Sequence, residues 1–282
     1  VVRNFYSQTR IEDSVDSDGL GPVRSMVHGS ITHGEQYLNH PKRATAYYCE
    51  RTGIGRALQS LPTDRPRQLG VVGLGAGTLA VYGRASDEMR MYEINDQVLD
   101  LARRHFSYLA DSAAGIVPVL GDGRLMLERE APQGFDLLAM DAFSGDSIPT
   151  HLVTQEAFSA YARHLRPDGL LAVHITNTYL DLRPVMASAA QHIGKVPLLL
   201  ELPSGHGDPF CRRSRWVVFV SAAQAAALPP SLQGAEVLLV TPSADFFSEP
   251  HVDSLIGYAK VFHAAGVSWT LSSMASEAGN FG

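Results

Sequence analysis

Cysteine is scarce in this chain of 282 residues: Cys49 and Cys211 are the only two, far apart and with no CxxC spacing. They cannot build a disulfide framework, so a reducing, cytoplasmic setting is the default expectation. Long apolar runs are missing. None approaches the roughly 20 residues that a membrane helix needs, and no signal peptide is expected. Basic residues are not in excess. The formal net charge is −6, which argues against a nucleic-acid partner and suits a cationic small molecule. No HExxH or similar motif marks a metal site, so no metal is expected. Internal repeats and low-complexity tracts are absent as well. The chain begins at Val1 without a methionine, which suggests a piece of a longer protein.

What is present suffices for a sizeable core, with 45% hydrophobic residues. Residues 1–62 read as an N-terminal β-strand region. Alternation runs through "VRSMVHGSITHGEQYL", with turns at Asp18-Gly19 and Gly21-Pro22, and "GIGRALQSLP" forms one helix ended by Pro62. Over residues 63–262 strands alternate with helices. "LGVVGLG", "EMRMYEIN", "GIVPVLGD", "FDLLAMDAF", "GLLAVHIT" and "RWVVFVSA" are strands. "DQVLDLARRHF", with an Asp96 cap, and "TQEAFSAYARHL" are among the helices. This rhythm predicts an α/β domain with a doubly wound, mostly parallel, Rossmann-like sheet. Residues 263–282 read as a loosely ordered tail.

The first of these strands runs into Gly73, Gly75 and Gly77. Glycine there lets backbone N–H groups come close to a ligand. The dinucleotide fingerprint wants its third glycine one place later, where this chain has Thr78. Glu93 ends the next strand, twenty positions after Gly73, where an acid can accept from both ribose hydroxyls. Asp122 and Gly123, in "GDG", end the third strand, beside the expected base. A glycine loop, a ribose acid and a base-side acid on three consecutive strand ends suit S-adenosylmethionine (SAM) better than NAD. The domain therefore reads as the SAM-methyltransferase type of sheet. Helix capping is the other reading of Glu93 and Asp122.

Asp141 ends a buried apolar strand and Asp146 follows in its loop. A carboxylate at the mouth of such a strand is costly unless paired or used. The carbons beside a sulfonium are open to displacement. An attacking amine needs a carboxylate to hold it and take its proton. Asp141 is the main catalytic candidate, and Asp146 the second.

In the order of its parts the sequence resembles the spermidine synthase (polyamine aminopropyltransferase) family, from about Val27 to Ser221. The parts are "HGSITHGEQ", "TAYY", "GLGAG", "YEIN", "GDG", "FDLLAMDAFSGD" and "LPSGHG". "RNFY" and "DAFSGDSIPTHL" look like the bacterial branch whose synthase-like domain follows membrane-spanning segments. The resemblance implies decarboxylated SAM or SAM as substrate, an amine acceptor such as putrescine, a homodimer, and a cytoplasmic domain tethered to a membrane domain. It places Gly73, Gly75, Gly77, Glu93, Asp122 and Gly123 at the nucleoside. Asp141 becomes the proton acceptor and Tyr47 a diamine-binding tyrosine. Tyr48, and Thr32 or His33, fall where the family has nucleoside-contacting glutamines.

Three departures matter. Ala76 stands where the family's G-G-G-D-G loop has an acid for the donor's amine. Leu202 stands where a tyrosine lines the diamine tunnel, and Asp146 is displaced from the family's second acid. Ala76 would leave room for an intact carboxylate. That keeps open a SAM lyase or cyclase releasing methylthioadenosine without an external amine, a SAM-dependent methyltransferase, and a non-catalytic nucleoside sensor. His28 and His33, five apart, point to opposite faces of an ideal strand. His174 and Asn177 face either the acceptor or local backbone. His206 and Asp208 lie in a glycine-rich loop that reads as a lid or a plain connection.

Overall fold

The computed structural model describes residues 1–6, 8–16, 19–29, 31–143, 148–177, 180–239 and 268–271. Asp146 lies outside the described residues. Four antiparallel strands open the chain, in the order β1 (Val2–Arg3), β2 (Gln8–Val15), β3 (Pro22–His28) and β4 (Ile31–Tyr37). The register slips within the last pair. Met26 pairs with Gly34 and Val27 with Thr32, so His33 is the extra residue of a bulge. Next comes α1 (Gly53–Gln59), capped by the Thr52 side chain. It packs on the larger sheet, where a Cβ on Gly53 would stand 2.4 Å from that of Trp216.

The larger sheet holds β5 (Gln68–Val72), β6 (Glu88–Glu93), β7 (Gly115–Leu120), β8 (Phe135–Met140) and β9 (Leu165–His174), all parallel to one another. The helices α2 (Asp96–His105), α3 (Tyr108–Asp111), α4 (Gly123–Arg129), α5 (Gln155–Arg163) and α6 (Arg183–Ile193) fall between and after them. All six residues of β8 are buried, as a strand covered on both faces requires. The chain ends its sheet with β10 (Val196–Leu202), β11 (Ser214–Val220), the short α7 (Ala222–Ala226), β12 (Glu236–Leu239) and β13 (Ser268–Leu271). The order is β13-β12-β10-β11-β9-β8-β5-β6-β7. This is the α/β architecture expected, with a mostly parallel centre and a small N-terminal sheet.

Several local expectations differ. Asn95, not Asp96, caps α2 by accepting from the Gln97 amide, because its side chain reaches back over the first turn. The alternation of strands and helices opens on a short 3₁₀ turn, Thr78–Tyr82, rather than on a full α-helix. β11 is antiparallel to β9 and β10. Part of the expected tail is a strand: Ser268–Leu271 pair with β12, as the β-branched and aromatic content of "SWTL" favours. No helix among the described residues is long and apolar enough to cross a membrane.

Strand order reverses between β5 and β8: β6 and β7 build outward on one side, β8 and β9 on the other. Sheets of this kind take ligands in the crevice at such a switch point. The two strand ends are tied there. The Asp141 amide donates to the Val72 carbonyl at 2.8 Å. A Cβ on Gly73, whose φ is +94°, would meet the Asp141 carbonyl at 2.3 Å. Only glycine fits that position.

Candidate active site

A cavity of about 340 Å³ opens over the switch point. Its floor is Gly73, Leu74 and Gly75, and Glu93, Asp122 and Gly123 close one end. Tyr47, Tyr48, Asp141, Phe143 and His174 close the other, with His28, Thr32 and His33 from the N-terminal sheet as the roof. Gly77 does not line it. That residue turns the chain (φ +84°) against Leu109 on the far side, so its expected ligand contact is corrected to a backbone role.

Glu93 is buried, and both its oxygens accept from backbone. The Leu74 amide donates at 3.0 Å and the Asn95 amide at 2.9 Å. Burial raises its pKa, while the amides of Asn95, Leu74 and Ile94 pull it down. The carboxylate thus ties the glycine loop to the second strand end and still borders the cavity. Asp122 caps α4 through the Leu125 amide (2.9 Å) and meets His151 Nε2 at 2.9 Å. The cap reading of Asp122 is therefore realised, on a residue that also lines the cavity. Gly123 lets α4 approach β5, since a Cβ there would meet Val72 at 2.4 Å.

Asp141 is gripped at both oxygens. The Tyr48 hydroxyl donates to Oδ2 at 2.6 Å, and His174 Nδ1 lies 2.7 Å from Oδ1. Burial, then the Asp141 charge, pushes the Tyr48 phenol well above its ordinary pKa, so it stays a donor. Tyr48, expected at the nucleoside, donates to the acid and also lines the cavity. Tyr47, expected to bind the diamine, borders the cavity with its ring 5.4 Å from His174, and its carbonyl accepts from Trp216 Nε1. Just before the two tyrosines stands Ala46, a non-glycine residue at φ 55°. It is held there by Ala46 N–H to the Phe210 carbonyl and Arg212 N–H to the Ala46 carbonyl.

His28 and His33 are not on opposite faces. Their rings stack 5.6 Å apart and both line the cavity, because the hairpin reverses between them and the bulge absorbs His33. The His33 Nε2 is buried without a partner. Burial, and secondarily His28, lowers its pKa, with Asp141 opposing. Ala76 does not line the cavity. It is buried, and a Cβ on Gly34 would stand 2.5 Å from its own. Two small residues together let β4 settle on the glycine loop. Asn177 accepts from the Leu180 amide at 2.7 Å, a local backbone bond.

Cys49 and Cys211 form a disulfide, with Cα atoms 5.5 Å apart. This removes the ground on which a reducing compartment was the default expectation. Sequence distance hid the pair: the loop between β10 and β11 folds back onto the segment that carries Tyr47 and Tyr48. Leu202 packs on this disulfide rather than in the cavity. The loop is tied down further by Arg212 to buried Glu35 (2.6 Å) and by Arg51 to the His206 carbonyl. Cys211→Ser is expected to cost on the order of 2–4 kcal/mol of stability. A urea midpoint equal to that of the oxidised wild type, at unchanged slope, would show that the bond contributes nothing.

No family model matches the chain. Over 121 residues it is 27% identical to the polyamine aminopropyltransferase of Vibrio vulnificus, covering 40% of this chain and 39% of that protein. Over 163 residues it is 25% identical to putrescine N-methyltransferase 2 of Nicotiana attenuata, covering 56% and 43%. The matched stretches thus span about two fifths of these relatives' length. Among solved structures, a probable spermidine synthase from Corynebacterium glutamicum superposes with a TM-score of 0.59 at 20% identity, over 82% of this chain and 88% of that one. Spermidine synthase from Thermotoga maritima gives 0.51 at 19%, over 77% and 72%. The chain therefore has the methyltransferase-like fold of the spermidine synthases, a mostly parallel central sheet behind a small N-terminal antiparallel one.

Proposed function

We propose that this protein transfers an alkyl group from the sulfonium of a SAM-type nucleoside to an amine. The first reading is aminopropyl transfer from decarboxylated SAM to an acceptor such as putrescine, releasing methylthioadenosine. One observation carries it: the Asp141 carboxylate sits at the switch point, held at both oxygens, between the glycine loop and an aromatic wall. The remaining lining fits a nucleoside. Gly73 and Gly75 let backbone come close, the Glu93 carboxylate keeps lone pairs for ribose hydroxyls, and the unpartnered His33 Nε2 awaits a polar group. The Vibrio relative is named for this activity. A solved spermidine synthase of the same fold holds the transition-state analogue AdoDATO.

The bound donor supplies a carbon made electrophilic by its sulfonium. In the step, the amine nitrogen bonds to that carbon and the carbon–sulfur bond breaks, its electron pair going to sulfur. Asp141 takes the proton that the amine gives up. Tyr47 and Phe143 exclude water from the acceptor side, and their rings attract a cation.

A second reading is methyl transfer from SAM to the same class of amine, with S-adenosylhomocysteine as product. The putrescine N-methyltransferase relatives, which match over more of the chain, favour it. The cyclase reading rested on Ala76, which is buried against Gly34, and the arm with SAM alone tests it. Homodimer formation and a membrane tether rest on the resemblance alone. The test is mass spectrometry after incubation with SAM or decarboxylated SAM, each with and without putrescine. Methylthioadenosine formed only from the decarboxylated donor with amine supports the first reading. S-adenosylhomocysteine supports the second. No product from any arm overturns both.

A further inference from the structure

His174 was not singled out as a catalytic residue from sequence, yet more of the site converges on it than on any other side chain described above. It ends β9 and is 4% exposed. Its ring stacks on Trp216 with centroids 4.4 Å apart and planes 6° from parallel. Phe143 meets it edge-on at 5.1 Å, and Tyr47 lies tilted at 5.4 Å. Those contacts fix the plane of the imidazole. Its hydrogen bonds fix the rotation and the proton.

Nε2 lies 2.7 Å from Thr176 Oγ1, which also accepts the Arg215 amide at 2.8 Å. A threonine hydroxyl has one proton and two lone pairs. With one lone pair given to Arg215, it can donate to a bare Nε2 or accept from a protonated one. At the other end Nδ1 faces Asp141 Oδ1 at 2.7 Å. A carboxylate only accepts, so Nδ1 must carry a proton whether the ring is neutral or charged.

We infer that His174 is the positioning residue of this site: its Nδ1–H, with the Tyr48 hydroxyl, locks the plane of the Asp141 carboxylate and turns the remaining lone pairs toward the incoming amine. The inference rests on the reading of Asp141 as proton acceptor. Without the imidazole, Oδ1 loses its donor and the carboxylate turns about its last bond. A base misplaced by about 1 Å can cost on the order of 10²-fold in rate. Trp216 takes part at one remove, because its indole is the surface on which the imidazole rests.

Two isosteres separate position from bulk. Asparagine sets its amide nitrogen where Nδ1 stands. Glutamine sets its own one bond further out, near Nε2. His174→Gln is expected to lower kcat on the order of 10²-fold, with nucleoside Kd unchanged, and His174→Asn to recover most of that loss. Equal kcat in His174→Gln and wild type, or equal loss in both variants at unchanged melting temperature, would overturn the inference. Nitrogen-15 spectra of the imidazole in the free protein give a readout that needs no turnover. Protonated Nδ1 is expected, and a neutral Nε2–H tautomer would overturn the inference. If Asp141→Asn keeps full turnover, the proton-acceptor reading fails, whatever the His174 variants do.

Discussion

Asp141→Asn is expected to lower turnover by about 10²–10⁴-fold, the usual worth of a positioned general base. Nucleoside affinity should stay within about threefold of wild type. The argument is steric as well as chemical. Asparagine has the shape of aspartate, and its carbonyl can still accept from Tyr48 or His174, so the tie between β5 and β8 through the Asp141 amide survives. What is lost is the ability to take a proton. Rapid-quench measurement of nucleoside product, beside calorimetric titration with methylthioadenosine, separates the two quantities. Undiminished turnover would remove Asp141 from the chemistry. Loss of binding along with turnover would instead make it part of the nucleoside site.

Glu93→Ala carries the second large effect, on binding. The carboxylate borders the nucleoside end while accepting the Leu74 and Asn95 amides. Its removal strips the ribose of a charged acceptor. Such a bond is worth about 1.5–3 kcal/mol, or about 10–100-fold in Kd. It also leaves two buried amides without partners and loosens the glycine loop. Glu93→Gln keeps one oxygen but turns an amide N–H₂ toward one of those donors, so it should bind almost as poorly. An unaltered Kd for methylthioadenosine in both variants would take Glu93 out of the ribose site.

The half of the cavity around the glycine loop could be read from the sequence because it is local. A strand, its glycines and the acid at the next strand end are each written within a few residues, and the backbone places them. The half around Asp141 is built from distant pieces. The bulge that carries His33 into the cavity depends on a register slip in a hairpin. Tyr48, which reaches Asp141, follows closely on the left-handed Ala46, itself held by a loop more than 160 positions away. From the sequence, His174 faced either the acceptor or local backbone, with nothing to choose between them. Its weight appears only once β11 runs antiparallel beside β9 and brings Trp216 under the ring. The Cys49–Cys211 pairing was invisible for the same reason, since no spacing rule connects cysteines that tertiary structure brings together.

That bond also changes the covalent shape of the molecule. The chain from position 49 to 211 becomes a closed ring. The glycine loop, Glu93, Asp122, Asp141 and His174 all lie on it, while Tyr48 stands one residue outside its clasp. A protease nick anywhere in the ring therefore leaves two pieces that migrate as one until reductant is added. In the unfolded chain the same closure keeps the segment bearing Tyr48 near the strand bearing Trp216, so refolding begins with the two walls around Asp141 already leashed together.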